Sequence, residues 1–254
     1  MIEKHPVLPG AEAWSAPGGD VGIVVIHGFT GNPWSMRPLA EALAERGFAI
    51  EMVRLPGHGT HWRDMMRSRY ADWRDEVRRA RERLRGAGKK VLLVGLSLGG
   101  SLALDVASEQ PEAVAGVVCI NATVLDREGI LAKLAPVLEK ILPVVPAKAA
   151  GLVENDIAKG GDEHAYAYVP AAAGGSFLKE LPRLREAVAG LQVPVLVAYS
   201  PQDHSVPPEN SKKILELLPG KKEELRLERS FHVATLDYDF ELLVERIAEL
   251  AARV

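Results

Sequence analysis

The chain has one cysteine, Cys119, in 254 residues. A single thiol excludes an internal disulfide framework and fits a reducing compartment. Inside the apolar run Ala115 to Ile120 it reads as a core residue rather than a reactive one. Long apolar runs are also missing. None approaches the ~20 residues needed to cross a bilayer, so no stable membrane insertion is expected. Met1-Ile2-Glu3-Lys4-His5-Pro6 lacks the basic-then-apolar pattern of an export signal, which makes a cytoplasmic protein the expectation. Excess positive charge is absent too: the formal net charge is −3, which argues against a nucleic-acid partner. No internal repeat or low-complexity tract appears. The 47% hydrophobic content is enough for a sizeable core, and one α/β domain spanning 1–254 is expected.

The chemistry gathers on one stretch, Lys89 to Gly100. Val91 to Val94 reads as a buried strand, and Leu98 to Gln110, closed by Pro111, reads as a helix. Between them lies Gly95-Leu96-Ser97-Leu98-Gly99, a G-x-S-x-G pattern. In a strand–turn–helix context this pattern reads as a nucleophile elbow. A serine on so sharp a turn is held in a strained backbone conformation, with its oxygen pushed out at the carboxyl end of the sheet. The helix amino terminus points partial positive charge at whatever forms there. Without that context the same five letters describe an ordinary glycine-containing turn.

Along the chain, strands are expected at Val21–Ile26, Phe48–Val53, Val91–Val94, Ala115–Ile120, Pro194–Tyr199 and Glu223–Glu228. Helices are expected at Arg37–Arg46, Asp72–Arg85, Leu98–Gln110, Leu181–Ala189, Glu209–Leu218 and Asp239–Arg253. The arginines of the second helix are interleaved with acids, while Trp73, Val77, Ala80 and Leu84 form one stripe, so its charges read as a solvated face. This alternation predicts an α/β fold with a mostly parallel sheet and helices on both faces. The rhythm is lost between Thr123 and Gly190. There Ile130, Leu131, Leu134, Val137, Leu138, Ile141 and Leu142 recur at helical spacing, and an irregular Ala/Gly/Tyr-rich passage, Gly160 to Gly175, follows. Residues 123–190 therefore read as a small cap inserted late in the chain. Its apolar stripe either completes a core or walls a pocket, and both can hold at once.

Loops at the carboxyl ends of a parallel sheet converge on the ligand crevice. Four of them carry suggestive chemistry: His27-Gly28-Phe29, Ser97, Asp203 and His232. The order Ser…Asp…His suits Ser97 as nucleophile, His232 as general base and Asp203 as the group that orients it. The backbone N–H groups of Phe29 and Leu98 are the expected oxyanion donors. Asp203 is preferred to Asp237, which lies five residues beyond His232 at the start of the last helix. His204 is a poor partner for its neighbour Asp203, and His27 reads as structural. Two other patterns are rejected. His58 and His61 form an H-x-x-H, but in a Gly/Pro loop without a nearby carboxylate, so no metal is expected. Gly86-Ala87-Gly88-Lys89-Lys90 lacks the glycine spacing and the Ser/Thr of a phosphate loop.

At these residues the chain resembles the α/β-hydrolase superfamily, and more narrowly bacterial monoacylglycerol lipases and closely related carboxylesterases. The resemblance runs over nearly the full length. It is strongest at His27-Gly28-Phe29-Thr30-Gly31, Ser35 to Glu41, Arg54 to His61, Gly95 to Gly100, Asp203 to Pro208 and His232 to Asp239. It implies hydrolysis of a glycerol monoester of a fatty acid, with no metal or organic cofactor. It also implies a small mobile cap whose apolar side faces the acyl chain. In that family a cap glutamate one residue before an Ala-Tyr pair binds the glycerol hydroxyls, and Glu163 before His164-Ala165-Tyr166 matches. The pocket-shaping aliphatic upstream falls near Val153. Without the resemblance Glu163 is an ordinary solvated acid. The cap is where the chain departs most from the family, so substrate preference is what the departure touches. The expected partner is a small lipid ester, with brief contact of the cap with lipid surfaces as a lesser expectation. A general carboxylesterase for short-chain to medium-chain esters is the second reading, and a non-catalytic small-ligand binder on the same fold the third.

Overall fold

The structure is a computed structural model that describes residues 3–126 and 142–254. All six expected strands form: β2 (Val21–Ile26), β3 (Ala49–Met52), β4 (Lys90–Leu96), β5 (Gly116–Ile120), β8 (Val195–Tyr199) and β9 (Lys222–Arg226). A further short strand, β1 (Trp14–Ala16), joins them at one edge. The sheet order is β1-β3-β2-β4-β5-β8-β9, with β1 antiparallel and every other pair parallel. Such a sheet is covered on both faces, and β4 shows why its sequence is an unbroken apolar run. Val91 and Leu93 point into one core, Leu92, Val94 and Leu96 into the other, and all are buried.

Helices cover both faces as the periodicity predicts. On one side lie α3 (Tyr70–Gly86), α4 (Leu98–Glu109), α6 (Leu181–Ala189) and α7 (Glu209–Leu217), which bury Trp73, Val77, Leu102, Val106, Leu184, Val188 and Ile214. On the other, α1 (Arg37–Glu45) and α8 (Phe240–Arg253) bury Leu39, Leu43, Leu243, Ile247 and Leu250. A one-turn helix, α2 (Trp62–Met65), follows the β3 loop. Burial of these stripes on the two faces of one sheet is the main stabilising term.

The chain leaves the sheet after β5 and returns at β8, although these two strands are hydrogen-bonded neighbours. The described part of this excursion contains an antiparallel pair, β6 (Val144–Pro146) with β7 (Tyr168–Pro170), and the helix α5 (Ala171–Leu178). The expected stripe from Ile130 to Ile141 lies outside the described residues, and Leu142 at its end is exposed. The passage expected to be irregular up to Gly175 is therefore partly regular. Its glycines hid α5, which forms with Ala173 and Phe177 buried in the core. No helix among the described residues is long and apolar enough to cross a membrane.

One buried charge network holds α3, α4 and α6 together. The Asp105 carboxylate, fully buried on α4, accepts the Tyr70 hydroxyl at 2.9 Å and a two-pronged contact from Arg183 at 2.9 and 2.7 Å. Removing one partner of such a group leaves the others unpaired in low dielectric. Asp105→Ala should therefore lower unfolding free energy by about 2–4 kcal/mol, with Arg183 being partly exposed. Urea unfolding followed by circular dichroism checks this. A loss below about 1 kcal/mol would show that the pair only breaks even.

Candidate active site

The site is built by the chain reversals at the carboxyl ends of β2, β4, β5, β8 and β9. The strands end in step, with Ile26 opposite Gly95 and Gly95 opposite Cys119, so their loops gather at one edge. From Val91 to Gly100 every residue is buried except Ser97. Its backbone lies at φ 55°, ψ −119°, a region that costs a non-glycine residue roughly 1–3 kcal/mol. The surrounding packing supplies the constraint. A Cβ on Gly95 would fall 2.1 Å from the Gly99 carbonyl oxygen, and one on Gly99 would fall 2.3 Å from that of Ile26. Both motif glycines are required by close approach of backbone to backbone. Leu98 opens α4 and carries one of the N–H groups that a helix leaves without an intrahelical partner.

Across from the elbow, the loop after β2 passes close to the serine: an ideal Cβ on Gly28 would lie 3.4 Å from Ser97 Cβ. Phe29 is half-buried, its ring 5.7 Å from that of Trp73 and 6.2 Å from that of His58. His27 is structural, as expected. Its Nε2 accepts the Leu55 N–H at 3.1 Å, so Nδ1 carries the proton and donates to the Gly28 carbonyl at 2.9 Å. Burial pushes its pKa down to about 4, which keeps this loop-bracing imidazole neutral.

The carboxylate and the imidazole expected to pair lie in contact. His232 Nδ1 lies 2.7 Å from Asp203 Oδ2, with both side chains almost out of solvent. The other carboxylate oxygen, Oδ1, accepts the N–H groups of Ser205 and Val206 at 2.8 and 2.7 Å, which fixes its direction. Asp237 takes no part in this pair. Its carboxylate accepts the N–H groups of Ala158, Lys159 and Phe231. Burial works against a charged His232, but the charge and hydrogen bond of Asp203, with the charges of Glu163 and Asp156, outweigh it and hold the imidazole above its ordinary range.

Ser97 and His232 are both tied to the end of β5, through Ile120 and Asn121. The Ser97 N–H donates to the Ile120 carbonyl at 2.8 Å, while Asn121 Nδ2 donates to the His232 carbonyl at 2.8 Å. Asn121 Oδ1 also accepts the Ser200 N–H, so one left-handed residue at φ 46° ties three strand ends together. The expected strand Ala115–Ile120 stops just before Asn121, which has no expected part in the site. The preference of asparagine for positive φ was the available signal. Among the described residues no hydrogen bond joins Ser97 Oγ to the imidazole.

The excursion contributes the remaining wall. Glu163 is half-buried and charge-coupled to His232, and burial, its largest influence, holds its carboxyl above the usual range. Its neighbours are sewn to the β2 loop: Tyr166 N–H donates to the Thr30 carbonyl, and Asn32 Nδ2 to the His164 carbonyl. Val153 is exposed, with its N–H 3.4 Å from Ser205 Oγ beside the Asp203 loop. The histidines of the H-x-x-H do not share a site. His58 is buried against His27 and Trp73, whereas His61 caps α2 and stacks on His5. No group of three or more His, Cys, Asp or Glu that could hold a metal occurs among the described residues. Cys119 is buried and its thiol is pushed up to about 12, which fits the core role expected of it.

A nucleophile elbow with an ordered His–Asp pair at the next strand ends is the arrangement of one large enzyme family, and residues 23–245 match the model of the "Alpha/beta hydrolase family". The chain belongs to the alpha/beta hydrolase family. This hydrolase is 38% identical over 254 residues, the whole of its length and 99% of the relative's, to a thermostable monoacylglycerol lipase of Bacillus sp. (strain H-257). It is 24% identical to a carboxylesterase of Bacillus subtilis (strain 168), over 93% of its own length and 94% of the relative's. A solved structure from work on two metagenome-derived lipolytic enzymes, LipS and LipT, superposes with a TM-score of 0.91 at 35% identity, covering 98% of this chain and 100% of that one.

Proposed function

We propose that this alpha/beta hydrolase is a serine esterase that cleaves monoacylglycerols to a fatty acid and glycerol through an acyl-enzyme on Ser97. The observation that carries the reading is the His232–Asp203 pair, 2.7 Å apart, at the strand ends beside an accessible serine on a strained elbow. The 38% identity to a monoacylglycerol lipase supports the choice of substrate.

In this reading His232 Nε2 removes the Ser97 proton as Oγ attacks the ester carbonyl carbon. Negative charge collects on the carbonyl oxygen, which takes hydrogen bonds from the N–H groups of Leu98 and Phe29, each worth ~3 kcal/mol of transition-state stabilisation. The tetrahedral intermediate collapses as His232 returns the proton to the glycerol oxygen and the alcohol leaves. Water, deprotonated by His232, then attacks the acyl-enzyme carbonyl, and the carboxylic acid departs as Ser97 regains its proton. Asp203 holds Nδ1–H and so keeps Nε2 free to accept. The serine–imidazole hydrogen bond forms as substrate fills the site, since such bonds are often long before binding. Residues 123–190 serve as the cap, with Glu163 toward the glycerol hydroxyls and the exposed aliphatic side chain of Val153 available to the acyl chain.

Turnover of monolaurin against ethyl laurate tests the substrate. Monolaurin should be favoured, and Glu163→Gln should reduce that preference by about tenfold, the worth of one lost hydrogen bond near 1.4 kcal/mol. Equal losses on both esters would remove Glu163 from glycerol recognition. A general carboxylesterase for short-chain to medium-chain esters is the second reading, favoured by the carboxylesterase relative, and higher turnover of the ethyl ester would support it.

The pH profile follows from His232. Only its neutral form accepts the serine proton, so kcat/KM should rise with pH through a midpoint above the ordinary histidine value of about 6.5. The same raised pKa stabilises the fold below the unfolded-state value, and that contribution fades as pH climbs through the folded-state value. A midpoint below about 6 would contradict the electrostatic picture.

A further inference from the structure

Beyond the His232–Asp203 pair lies a second histidine–carboxylate pair, whose histidine, His204, directly follows Asp203. Asp156, from the excursion between β5 and β8, is buried. Its Oδ1 lies 2.7 Å from His204 Nδ1, and its Oδ2 accepts the His204 N–H at 3.0 Å. Its carbonyl accepts the Val233 N–H at 3.0 Å. His204 follows Asp203 in the chain, and Val233 follows His232. One residue thus grips the immediate neighbours of both members of the reacting pair. The Phe231 ring, on the other flank of His232, packs edge-on against His204 with centroids 4.5 Å apart. Asp237 reinforces the grip by accepting the N–H groups of Ala158, Lys159 and Phe231, so residues 156–159 are fastened on both sides of the imidazole.

A buried carboxylate is costly to desolvate unless it is fully engaged, and charge-assisted hydrogen bonds are the strong ones. Here the carboxylate engages the Asp203 loop through His204, while the carbonyl of the same residue engages the His232 loop through Val233. These ties add to the bonds from Ser200 Oγ to the Phe231 carbonyl and from Gln202 Nε2 to the Glu228 carbonyl that join the same two loops. The backbone stretches around residues 203 and 232 contain no regular helix or strand, so their separation is set by such side-chain ties.

We propose that Asp156 is a positioning residue for catalysis: by clamping His204 and Val233 it sets the distance and direction of Asp203 relative to His232. This rests on the reading of Ser97, Asp203 and His232 as the reacting groups. The carboxylate makes no contact with the serine and takes no proton in the reaction. It restrains the loop that carries Asp203, from a segment whose carbonyl holds the loop that carries His232. It also adds a negative charge to those of Asp203 and Glu163 that face the His232 imidazole.

The test compares Asp156→Ala, Asp156→Asn, His204→Ala and the double variant Asp156→Ala/His204→Ala. Monolaurin hydrolysis is followed from pH 5 to 9, and kcat is expressed per serine titratable with a fluorophosphonate ester. Asp156→Ala should lower kcat roughly 10- to 100-fold with little change in KM, since small misplacements of a reacting group cost rate rather than binding. Its acid limb should also move to lower pH, because one anion has left the surroundings of His232. Asp156→Asn, which keeps an oxygen for the His204 N–H, should recover most of kcat while retaining the shifted limb. The double variant should be no slower than Asp156→Ala, because the two groups act as one unit. Unchanged kcat and an unchanged limb in Asp156→Ala would overturn the proposal. So would losses in the two single variants that multiply in the double. If Asp156→Ala does not fold, an unshifted limb in Asp156→Asn together with wild-type kcat in His204→Ala overturns it. Failure of the wild-type protein to react with the fluorophosphonate is a separate result, and it would remove the reading of Ser97 instead.

Discussion

Replacement of Ser97 by alanine should lower kcat for monolaurin by roughly 10⁴- to 10⁶-fold while leaving the fold intact. The size follows from chemistry. Without Oγ no acyl-enzyme forms, and what remains is binding plus the oxyanion donors acting on a water molecule, worth about 10³–10⁴ over the uncatalysed reaction in comparable triads. The fold should tolerate the change because the Ser97 side chain makes no hydrogen bond among the described residues, and alanine meets the same positive-φ strain. A change in stability within about 1 kcal/mol is expected. Hydrolysis within tenfold of wild type, with the thermal midpoint unchanged, would mean that another group attacks the ester.

Asp203→Asn is the second large effect, and asparagine is the informative substitution. The carboxylate has two tasks: Oδ1 takes the Ser205 and Val206 N–H groups, and Oδ2 faces His232 Nδ1. Asparagine can keep its oxygen on the two N–H groups and so preserve the turn. Its NH₂ group then faces Nδ1 and forces that nitrogen to accept, which moves the imidazole proton to Nε2, where a proton acceptor is required. The expected loss is about 10⁴ in kcat near neutral pH. Loss of the carboxylate also removes the main influence that raises His232, so any residual activity should persist to lower pH than in wild type. A loss under tenfold, measured as kcat on monolaurin, would mean that Asp203 does not orient the base.

Much of the fold was legible because its signals are local and periodic. The buried strands of a parallel sheet are short apolar runs, and helices such as α3 carry stripes with 3.6-residue spacing. The G-x-S-x-G pattern between β4 and α4 located Ser97 because the backbone constraint that makes an elbow is written in its glycines: Gly95 and Gly99 have no room for a side chain. Of the two acids weighed from the sequence, Asp203 lies on the His232 ring, and Asp237 accepts backbone N–H groups.

What escaped the sequence was tertiary. Strand β1 is three residues long, too short for periodicity, and exists because Trp14–Ala16 finds the free edge of β3. Helix α5 carries adjacent glycines that propensity counts against a helix, and burial of Ala173 and Phe177 in the core offsets that cost. Asp156 looks like any loop acid. Nothing near it in sequence says that its partners are His204 and Val233, which lie far along the chain and meet it only once β8 and β9 have placed their loops. Side-chain ties between loops depend on the fold being complete, so they leave no periodic trace.

In the proposed mechanism Ser97 is activated by a general base on the neighbouring loops. Its most direct test is to treat the folded protein with a fluorophosphonate ester at neutral pH and locate the adduct by peptide mass spectrometry. The account predicts stoichiometric modification at Ser97, lost in Ser97→Ala and slowed by orders of magnitude in Asp203→Asn. A folded protein left unmodified, or modified at a different serine, would contradict it.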